Sequence, residues 1–536
     1  MSRSRDVSTV EHDRIARAAG VIGAATLLSR LLGYVRDMVI AYLFGAGLAT
    51  DAFFVAFRIP NTLRRLFGEG SMTVSFIPVY TDYLVHRTRE ESQELVDVAF
   101  TLASMVLMAL TILGMVFSSQ IIVVLAPGFD DPRKVELTIC MTRIVFPYLF
   151  FIGLVALAMG ILNAHRHFAA PALAPTLLNV SMIACAYLLF RRLAEPIVSL
   201  AIGVLFGGVT QLAFQIPFLM RKGVMFRFNF HLLHPAIRRI CMLMGPAVLG
   251  VAVAQINVFV GQILASFLLE GSISWLYFSY RLIEFPLGIF VIALGTAALP
   301  SFSQLVSQGK MEEFRDTISF SLRLVLFVAI PAMVGLIVLR IPIIHLLFQH
   351  GAFDYGDTLS TARALFAYGI GLWAIAGVRI LAPAFYAVQD TKTPVKMAVV
   401  ALLANVGLSL VLMASLKHTG LALANSLAAM VNVSLLLIWL RRKMGTIDWA
   451  GIIKSFIQIA AASAVMGWVS SWIAGRESWA TPGLWGEKVI ILAVAIGAGL
   501  LTYIAISHVL RNRELSFLVE MVWKKREQLS FGGEAD

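Results

Sequence analysis

Apolar residues gather along this chain into runs of about twenty, parted by short polar connections. A helix of that length spans the hydrocarbon core of a bilayer, so the pattern predicts about fourteen transmembrane helices. Their centres fall near Ser29, Gly68, Met108, Phe150, Met182, Val209, Val253, Ile289, Val328, Leu372, Leu403, Ala429, Ser463 and Ala498. The first run, from about Ala18 to Leu43, is too long for the core of a signal peptide and holds Arg30, Arg36 and Asp37, so it reads as the first span. The second is the least regular. Its "FRIPNTLRRLFGEGSMTVSFIP" carries Pro60, Gly68, Gly70 and Pro78 and predicts a broken helix, which a membrane tolerates only against protein or a water-filled cavity.

Composition agrees with a membrane location. With 59% hydrophobic and only 14% charged residues and a mean hydropathy of +0.84, the 536 residues read as one all-α polytopic bundle rather than as several globular domains. The net charge of +12 sits in the loops. With the N-terminus inside, the inner connections carry "HRTRE", "NAHRHF", "RKGVMFRFNFHLLHPAIRR", "SQGKMEEFRD", "DTKTPVK" and "RRKMG". Roughly 25 Lys and Arg then fall inside against about 7 outside, a bias that places both termini in the cytoplasm. The same distribution accounts for the pI of 9.7 without a nucleic-acid partner. Basic and apolar residues alternate from Arg221 to Arg239 and predict an amphipathic segment on the inner leaflet. Cys140, Cys185 and Cys241 are scattered in or beside apolar runs and read as small hydrophobes, not as disulfide or metal ligands.

An internal repeat is visible around the broken span. Ala56-Phe57-Arg58-Ile59 resembles Ser279-Tyr280-Arg281-Leu282 at an offset of 223, and the pairs Gly23 and Gly250, Pro171 and Pro394, and Asn179 and Asn405 give 227, 223 and 226. A period of about 225 residues spans about six helices, an even number, so it predicts two six-helix lobes of the same orientation about a pseudo-two-fold axis along the membrane normal. The predicted lobes are 1–222 and 223–449, the second opening with the amphipathic cytoplasmic segment. Two further helices over 450–511 lie outside the repeat, and 512–536 read as a cytoplasmic tail.

The chain shows no GxxxxGK[ST], HExxH, GxSxG or CxxC, so no catalytic residues are expected. His165, His167, His231 and His234 lie in inner connections without a convergent acid or Cys, and no metal site is expected there. The informative feature is arginine inside apolar runs. A guanidinium at the bilayer centre costs roughly 3 kcal/mol even on a lenient insertion scale. Arg30, Arg36, Arg58, Arg64 and Arg65 are therefore expected to line a hydrated cavity whose client is an anion or an anionic head group. Arg30 and Asp37 share a helical face while Arg36 lies about 120° away, and a structural alternative pairs Arg36 and Asp37 with neighbours such as Asp51. Asp51 and Glu69 bracket the arginines of the second span. One of Arg64 and Arg65 pairs with Glu69 and the other faces the cavity, and the sequence leaves open which. Arg281 and Glu284 stand at i and i+3, close enough to pair, and Arg281 is the repeat partner of Arg58. Asp390 and Lys392 in "QDTKTP" read either as a cytoplasmic gate or as a solvated turn.

At these residues the chain resembles the MurJ (MviN) family, the bacterial lipid II flippases of the multidrug/oligosaccharidyl-lipid/polysaccharide exporter superfamily. The likeness runs through "SRLLGYVRD", "FGAGLATDAFFVAFRIPNTLRRLFGEG", "PGF", "PALAPTLLN", "MGPAVLG", "RLIEFPLG", "ALGTAALPS" and "FYAVQDTKTPVK", over essentially the whole fourteen-span body. It implies two six-helix lobes around a V-shaped cavity, with two C-terminal helices forming a groove for a polyprenyl tail. It also implies alternating access that moves the undecaprenyl-pyrophosphate-linked glycopeptide between leaflets of the bacterial cytoplasmic membrane. The family's cavity arginines fall on Arg30, Arg36, Arg64 and Arg281, with Asp51 as partner acid, and Glu284 also matches. Many members carry an acid just before the eighth-span arginine, where this chain has Tyr280. The expected partners are lipid II and membrane lipids, with the cell-wall synthesis machinery as a further class. No cofactor is expected, and coupling is to the membrane potential or an ion gradient. The alternatives are a flippase for another polyprenyl-linked oligosaccharide, a multidrug exporter of the same fold, which would favour acids over arginines in its cavity, and a non-transporting scaffold, which would tolerate neutral residues there.

Overall fold

The computed structural model describes residues 2–65, 72–231, 234–475, 477–481 and 485–520, and among them every regular element is helical. The chain divides into two compact units, Met1–Ser274 and Trp275–Asp536. The first holds α1 (Ser2–Phe44), α2 (Leu48–Arg64), α3 (Met72–His86), α4 (Arg89–Val116), α5 (Ser118–Leu125), α6 (Pro132–Val145), α7 (Pro147–Ala164), α8 (Ala169–Leu189), α9 (Val198–Arg221) and α10 (Pro235–Ser266). Next comes α11 (Ser272–Pro286), which begins in the last residues of the first unit. The second unit continues with a π-helical turn (Leu287–Val291), α12 (Ile292–Ser307), α13 (Met311–Val338), α14 (Arg340–Phe348), α15 (Tyr355–Gly369), α16 (Leu372–Ala387), α17 (Lys392–Met444), α18 (Trp449–Ala474) and α19 (Trp485–Val509).

Local chemistry fixes the helix ends. Thr88 opens α4 with a capping box, its hydroxyl accepting from Glu91 N at 3.2 Å while Glu91 accepts from Thr88 N at 3.0 Å. Asp354 and Asp357 do the same for α15. The internal repeat reappears in the backbone. Helices α4 and α13 begin 222 residues apart, α5 and α14 also 222, and α6 and α15 223. Left-handed turn residues recur with the same spacing: Gly45 (φ 65°) with Gly271 (φ 86°), Gly223 (φ 74°) with Gly445 (φ 88°), and Arg166 (φ 57°) with Gln389 (φ 60°). Glycine meets this requirement without a Cβ clash, and the third pair meets it without glycine.

Eight helical stretches among the described residues are long and apolar enough to cross a membrane, and α15 with α16, bent by 41°, forms a ninth. The 53-residue α17 breaks at Lys417 (φ 53°, ψ −134°), between the predicted centres Leu403 and Ala429. Of the second predicted span, α2 and α3 are described, while 66–71, with Gly68 and Gly70, lie outside the described residues. At the equivalent place in the repeat, Pro286 leads into the π-helical turn, because its ring leaves the backbone one donor short.

The basic and apolar segment after α9 is not helical from 224 to 230. It runs extended beside α4, with Arg227 N donating to Asp97 at 3.1 Å, Asn229 N to Thr101 at 2.8 Å, and Phe226 stacked on Phe100 at 4.6 Å. Val224 is buried while Phe228 and Phe230 are exposed, so the segment is amphipathic as an extended strap.

The last two helices are tied to the rest of their unit at both ends. At one end Arg323 of α13 meets Asp448 at 3.2 Å, just before α18, and Glu514 at 2.9 Å, just after α19. At the other, the buried Lys488 ammonium lies 3.2 Å from His345 Nε2 of α14 and donates to the Thr481 carbonyl. Between them the Tyr503 hydroxyl donates to the Phe327 carbonyl at 2.7 Å.

Candidate functional site

The predicted charged residues fall into two kinds of environment in the first unit. Arg36 and Asp37, on one turn of α1, are 8% and 0% exposed. The guanidinium donates to Asp37 Oδ1 from Nε at 3.0 Å and from Nη2 at 2.7 Å, and from Nη1 to Asn179 Oδ1 of α8 at 3.2 Å. Asn179 in turn donates to the Ser29 carbonyl at 3.1 Å, locking α1 to α8. Asp51, in the first turn of α2, is 1% exposed and accepts from Lys134 Nζ at 3.0 Å, Gly271 N at 2.8 Å, Ser274 N at 2.9 Å and Ser274 Oγ at 2.7 Å. A carboxylate among backbone N–H groups at the start of α11 also complements that helix dipole. Arg36 and Asp51 do not pair with each other. Lys134, which the sequence reading missed, is buried, with its ammonium over the Phe129 ring.

The mid-span arginines stand differently. Arg30 is half-buried and makes no ion pair or hydrogen bond among the described residues. Arg58 donates from Nε to Gln262 Oε1 of α10 at 2.7 Å, and Arg64 from Nε to Asn61 Oδ1 at 3.2 Å. Arg65 is half-buried with no partner among the described residues. Arg58 and Arg65, the residue that caps α2 with helical backbone angles, are seven apart and so share a face. Ile59 and Leu63 line a wholly apolar cavity with Leu110, Leu113, Phe117 and Phe146. Glu69, the expected partner of one of the adjacent arginines, lies outside the described residues.

In the second unit Arg281 donates to Glu284 Oε2 at 3.0 Å, the i,i+3 pair that the spacing predicts, with both side chains partly open to solvent. Tyr280, just before Arg281, packs edge-on against Tyr368 of α15 at 5.4 Å. Asp390 is an interhelical staple. It accepts from Thr393 N at 3.0 Å, from the Thr393 hydroxyl at 2.6 Å and from the Lys443 ammonium, so it joins the two ends of α17. Its partial burial would raise the carboxyl pKa, but Lys443 and Thr393 outweigh that and hold it at about 2. No group of His, Cys, Asp and Glu suited to a metal occurs among the described residues.

The repeat carries a signal for Lys134. Positions 51 and 134 correspond to Trp275 and Asp357 at offsets of 224 and 223, and the Trp275 indole does donate to Asp357 Oδ1 at 2.9 Å. Each unit thus bonds the start of its broken span to the start of the same later helix, with different chemistry. Three other arginines escaped the sequence reading. Arg143 donates to Ser118 at 2.9 Å, Arg340 lies over the Phe366 ring, and Arg379 is exposed on α16.

Comparison with known proteins gives a consistent result. The family profile described as Lipid II flippase MurJ matches residues 40–494. A probable lipid II flippase MurJ of Vibrio cholerae is 38% identical, covering 92% of this chain and 95% of the relative. The lipid II flippase MurJ of Burkholderia cenocepacia is 36% identical, covering 86% and 91%. Among solved structures, a lipid II flippase MurJ in an inward closed conformation superposes with a TM-score of 0.77 at 30% identity, covering 91% of this chain and 98% of that one. An inward-facing multidrug resistance MATE family transporter of the MOP superfamily gives 0.67 at 15% identity, covering 80% and 98%, a likeness of fold alone.

Proposed function

The chain belongs to the lipid II flippase MurJ family, and on that premise we propose how its own residues serve the flipping of lipid II across the bacterial cytoplasmic membrane. The pyrophosphate head group is held by arginines of α1, α2 and α11, and the complex alternates between inner and outer access. The observation that carries this reading is Arg30, a mid-span guanidinium with no partner among the described residues beside a neighbour, Arg36, that is fully engaged. A pyrophosphate needs several fixed cations at close range, and the planar fork of Arg matches phosphate oxygens two at a time. Arg281, with Glu284 beside it, serves as the cation of the second half, and the backbone repeat supports two equivalent lobes over 1–222 and 223–449.

Asp51 holds the outer end of α2 against α6 and the start of α11. The Asp390 staple holds the inner turn between α16 and α17. The pair α18 and α19 takes the polyprenyl tail, since an apolar chain beside the arginines would strip their hydration. Their outward side supports this, with Trp468, Trp472, Ile490 and Leu501 exposed. Both termini are cytoplasmic by the positive-inside bias, and a membrane potential or ion gradient drives the cycle.

The test is replacement of a host's essential lipid II flippase by this gene. Survival with lipid II in the outer leaflet is the expected result. Survival restored only for an O-antigen or capsule flippase deletion would assign a different lipid-linked sugar.

A further inference from the structure

A cavity of about 300 Å³ lies in the first unit between α2, α4, α5 and the junction of α6 with α7, and no polar side chain lines it. Its walls belong to membrane-spanning helices. Leu110, Leu113 and Gly114 stand in the last turns of α4, and Phe146 lies near the middle of the apolar stretch Pro132–Ala164. Since α4 starts from the basic inner connection "HRTRE", those last turns belong to the outer half of the bilayer. The mouth is apolar as well: Leu113 and Phe117 are 52% and 48% exposed, with Ile112 and Val116 exposed beside them. Phe146 reaches over Gly114, where a Cβ would collide with its ring.

The repeat supplies a comparison for this place. At the offset of 222 that relates α4 and α5 to α13 and α14, Val116, Phe117 and Ile121 correspond to Val338, Leu339 and Ile343. The backbone is the same at the break between the helices, φ −89° and ψ 16° at Phe117 against φ −94° and ψ 15° at Leu339. The burial is not. Leu339 is 3% exposed and clusters with Ala474 of α18 and Ala495 of α19, with Val338 and Ile343 packed against them. Two apolar helices of the chain thus cover this seat in the second unit, whereas in the first the equivalent residues are open and the wall behind them is hollow.

Hydrocarbon is what can fill the hollow. Atoms around an empty space forfeit their dispersion contacts, and water does not enter a cavity that offers it no polar partner. Phospholipid is the solvent at the mouth, so mass action favours an acyl chain over any scarcer apolar ligand. The wall that benefits most is α2. Its Ile59 and Leu63 line the cavity on either side of Pro60, whose ring costs the helix a backbone hydrogen bond.

We propose that this cavity is a binding site for one acyl chain of an outer-leaflet phospholipid, and that the bound chain braces the kinked half of α2 against α4. The lipid is a resident ligand, not a transported one, so the inference stands apart from the choice of cargo.

Two measurements on the full-length protein test it. In the first, p-benzoylphenylalanine replaces either Phe146, 3% exposed in the cavity wall, or Phe53, 1% exposed and outside the lining. The protein is held in nanodiscs of phosphatidylethanolamine and phosphatidylglycerol without lipid II. Irradiation should add the mass of one phospholipid at position 146 and none at position 53, and Ile121→Trp, which fills the cavity, should cut the yield at 146 several-fold. In the second, dioleoylphosphatidylglycerol is added to the detergent-purified protein and thermal unfolding is followed. The wild type should gain several degrees and Ile121→Trp much less, with Leu113→Phe as the filling variant should Ile121→Trp not fold. No adduct at 146, an undiminished adduct in the filled variant, or equal lipid-induced shifts in both proteins would each overturn the proposal. An adduct at 146 that forms only once lipid II is added would overturn it too, assigning the cavity to the tail of the cargo. None of these outcomes decides the gene-replacement test of the flippase reading.

Discussion

Six residues separate Arg30 from Arg36 on one helix, yet Arg36 is sealed against Asp37 and Asn179 while Arg30 has no partner among the described residues. The same contrast recurs on α2, between the saturated Asp51 with Lys134 at its start and the unpartnered Arg65 at its end, again among the described residues. Burial explains it. A charge withdrawn from water needs an opposite charge and a full set of hydrogen bonds, whereas one left on a hydrated face keeps water as its partner and can exchange that water for a ligand. Sealed charges hold the helices in register; open ones are available to the substrate.

The contrast breaks most severely at Asp51. Asp51→Ala leaves the Lys134 ammonium buried without its counter-ion, which costs about 3–5 kcal/mol. A large fall in the thermal unfolding temperature of the purified protein is expected, with partial recovery in the double variant Asp51→Ala, Lys134→Met. Unchanged melting would mean that the pair contributes nothing to holding α2. Next in size is the comparison within α1. Arg36→Ala should lower stability by about 3 kcal/mol, whereas Arg30→Ala should stay within about 0.5 kcal/mol of wild type yet fail to replace the host flippase. Equal behaviour of the two variants in both assays would erase the distinction.

The adjacent arginines of α2 sharpen it further. Arg64→Lys keeps the charge but loses the fork, so translocation should drop about tenfold with normal folding. Normal transport by Arg64→Lys beside an inactive Arg65→Ala would transfer the role to Arg65. The smallest effect is expected at His345. Burial lowers its pKa below 6.5, aided by the nearby Lys488 and His350 and opposed by its bond to Gln349. The folded ring thus resists a proton that the unfolded chain accepts. Its contribution is complete above about pH 6.5 and is lost as the pH falls below that value. Hydrogen exchange in the loop around Trp479 should rise modestly from about pH 7.5 to about pH 5.5, and His345→Gln should flatten that response.

Much of this architecture is legible in the sequence because a bilayer allows few solutions. Apolar runs of helical length, loops rich in Lys and Arg, and a period near 225 residues each survive in the structure as helices and recurring turns. The Arg281 and Glu284 pair was legible because it is local. Lys134 was not, since it lies 83 residues from Asp51 in the charged "DDPRKVE", where nothing in the local pattern marks it for burial. Asn179 was visible only as a repeat marker and as the end of "PALAPTLLN", because its bond to Arg36 spans 143 residues.

The clasp at Arg323 bears on how the chain is made. One guanidinium holds the residue that leads into α18 and the residue that follows α19. Roughly 190 residues separate Arg323 from Glu514, so at ribosomal rates of about 5–20 residues per second about 10–40 s pass before that carboxylate is synthesised. During this interval α13 waits with an incomplete partner set, a natural point for insertion factors or quality-control proteases to act. Loss of Glu514 should accordingly show itself first as shorter protein lifetime during biogenesis, before any defect in mature molecules.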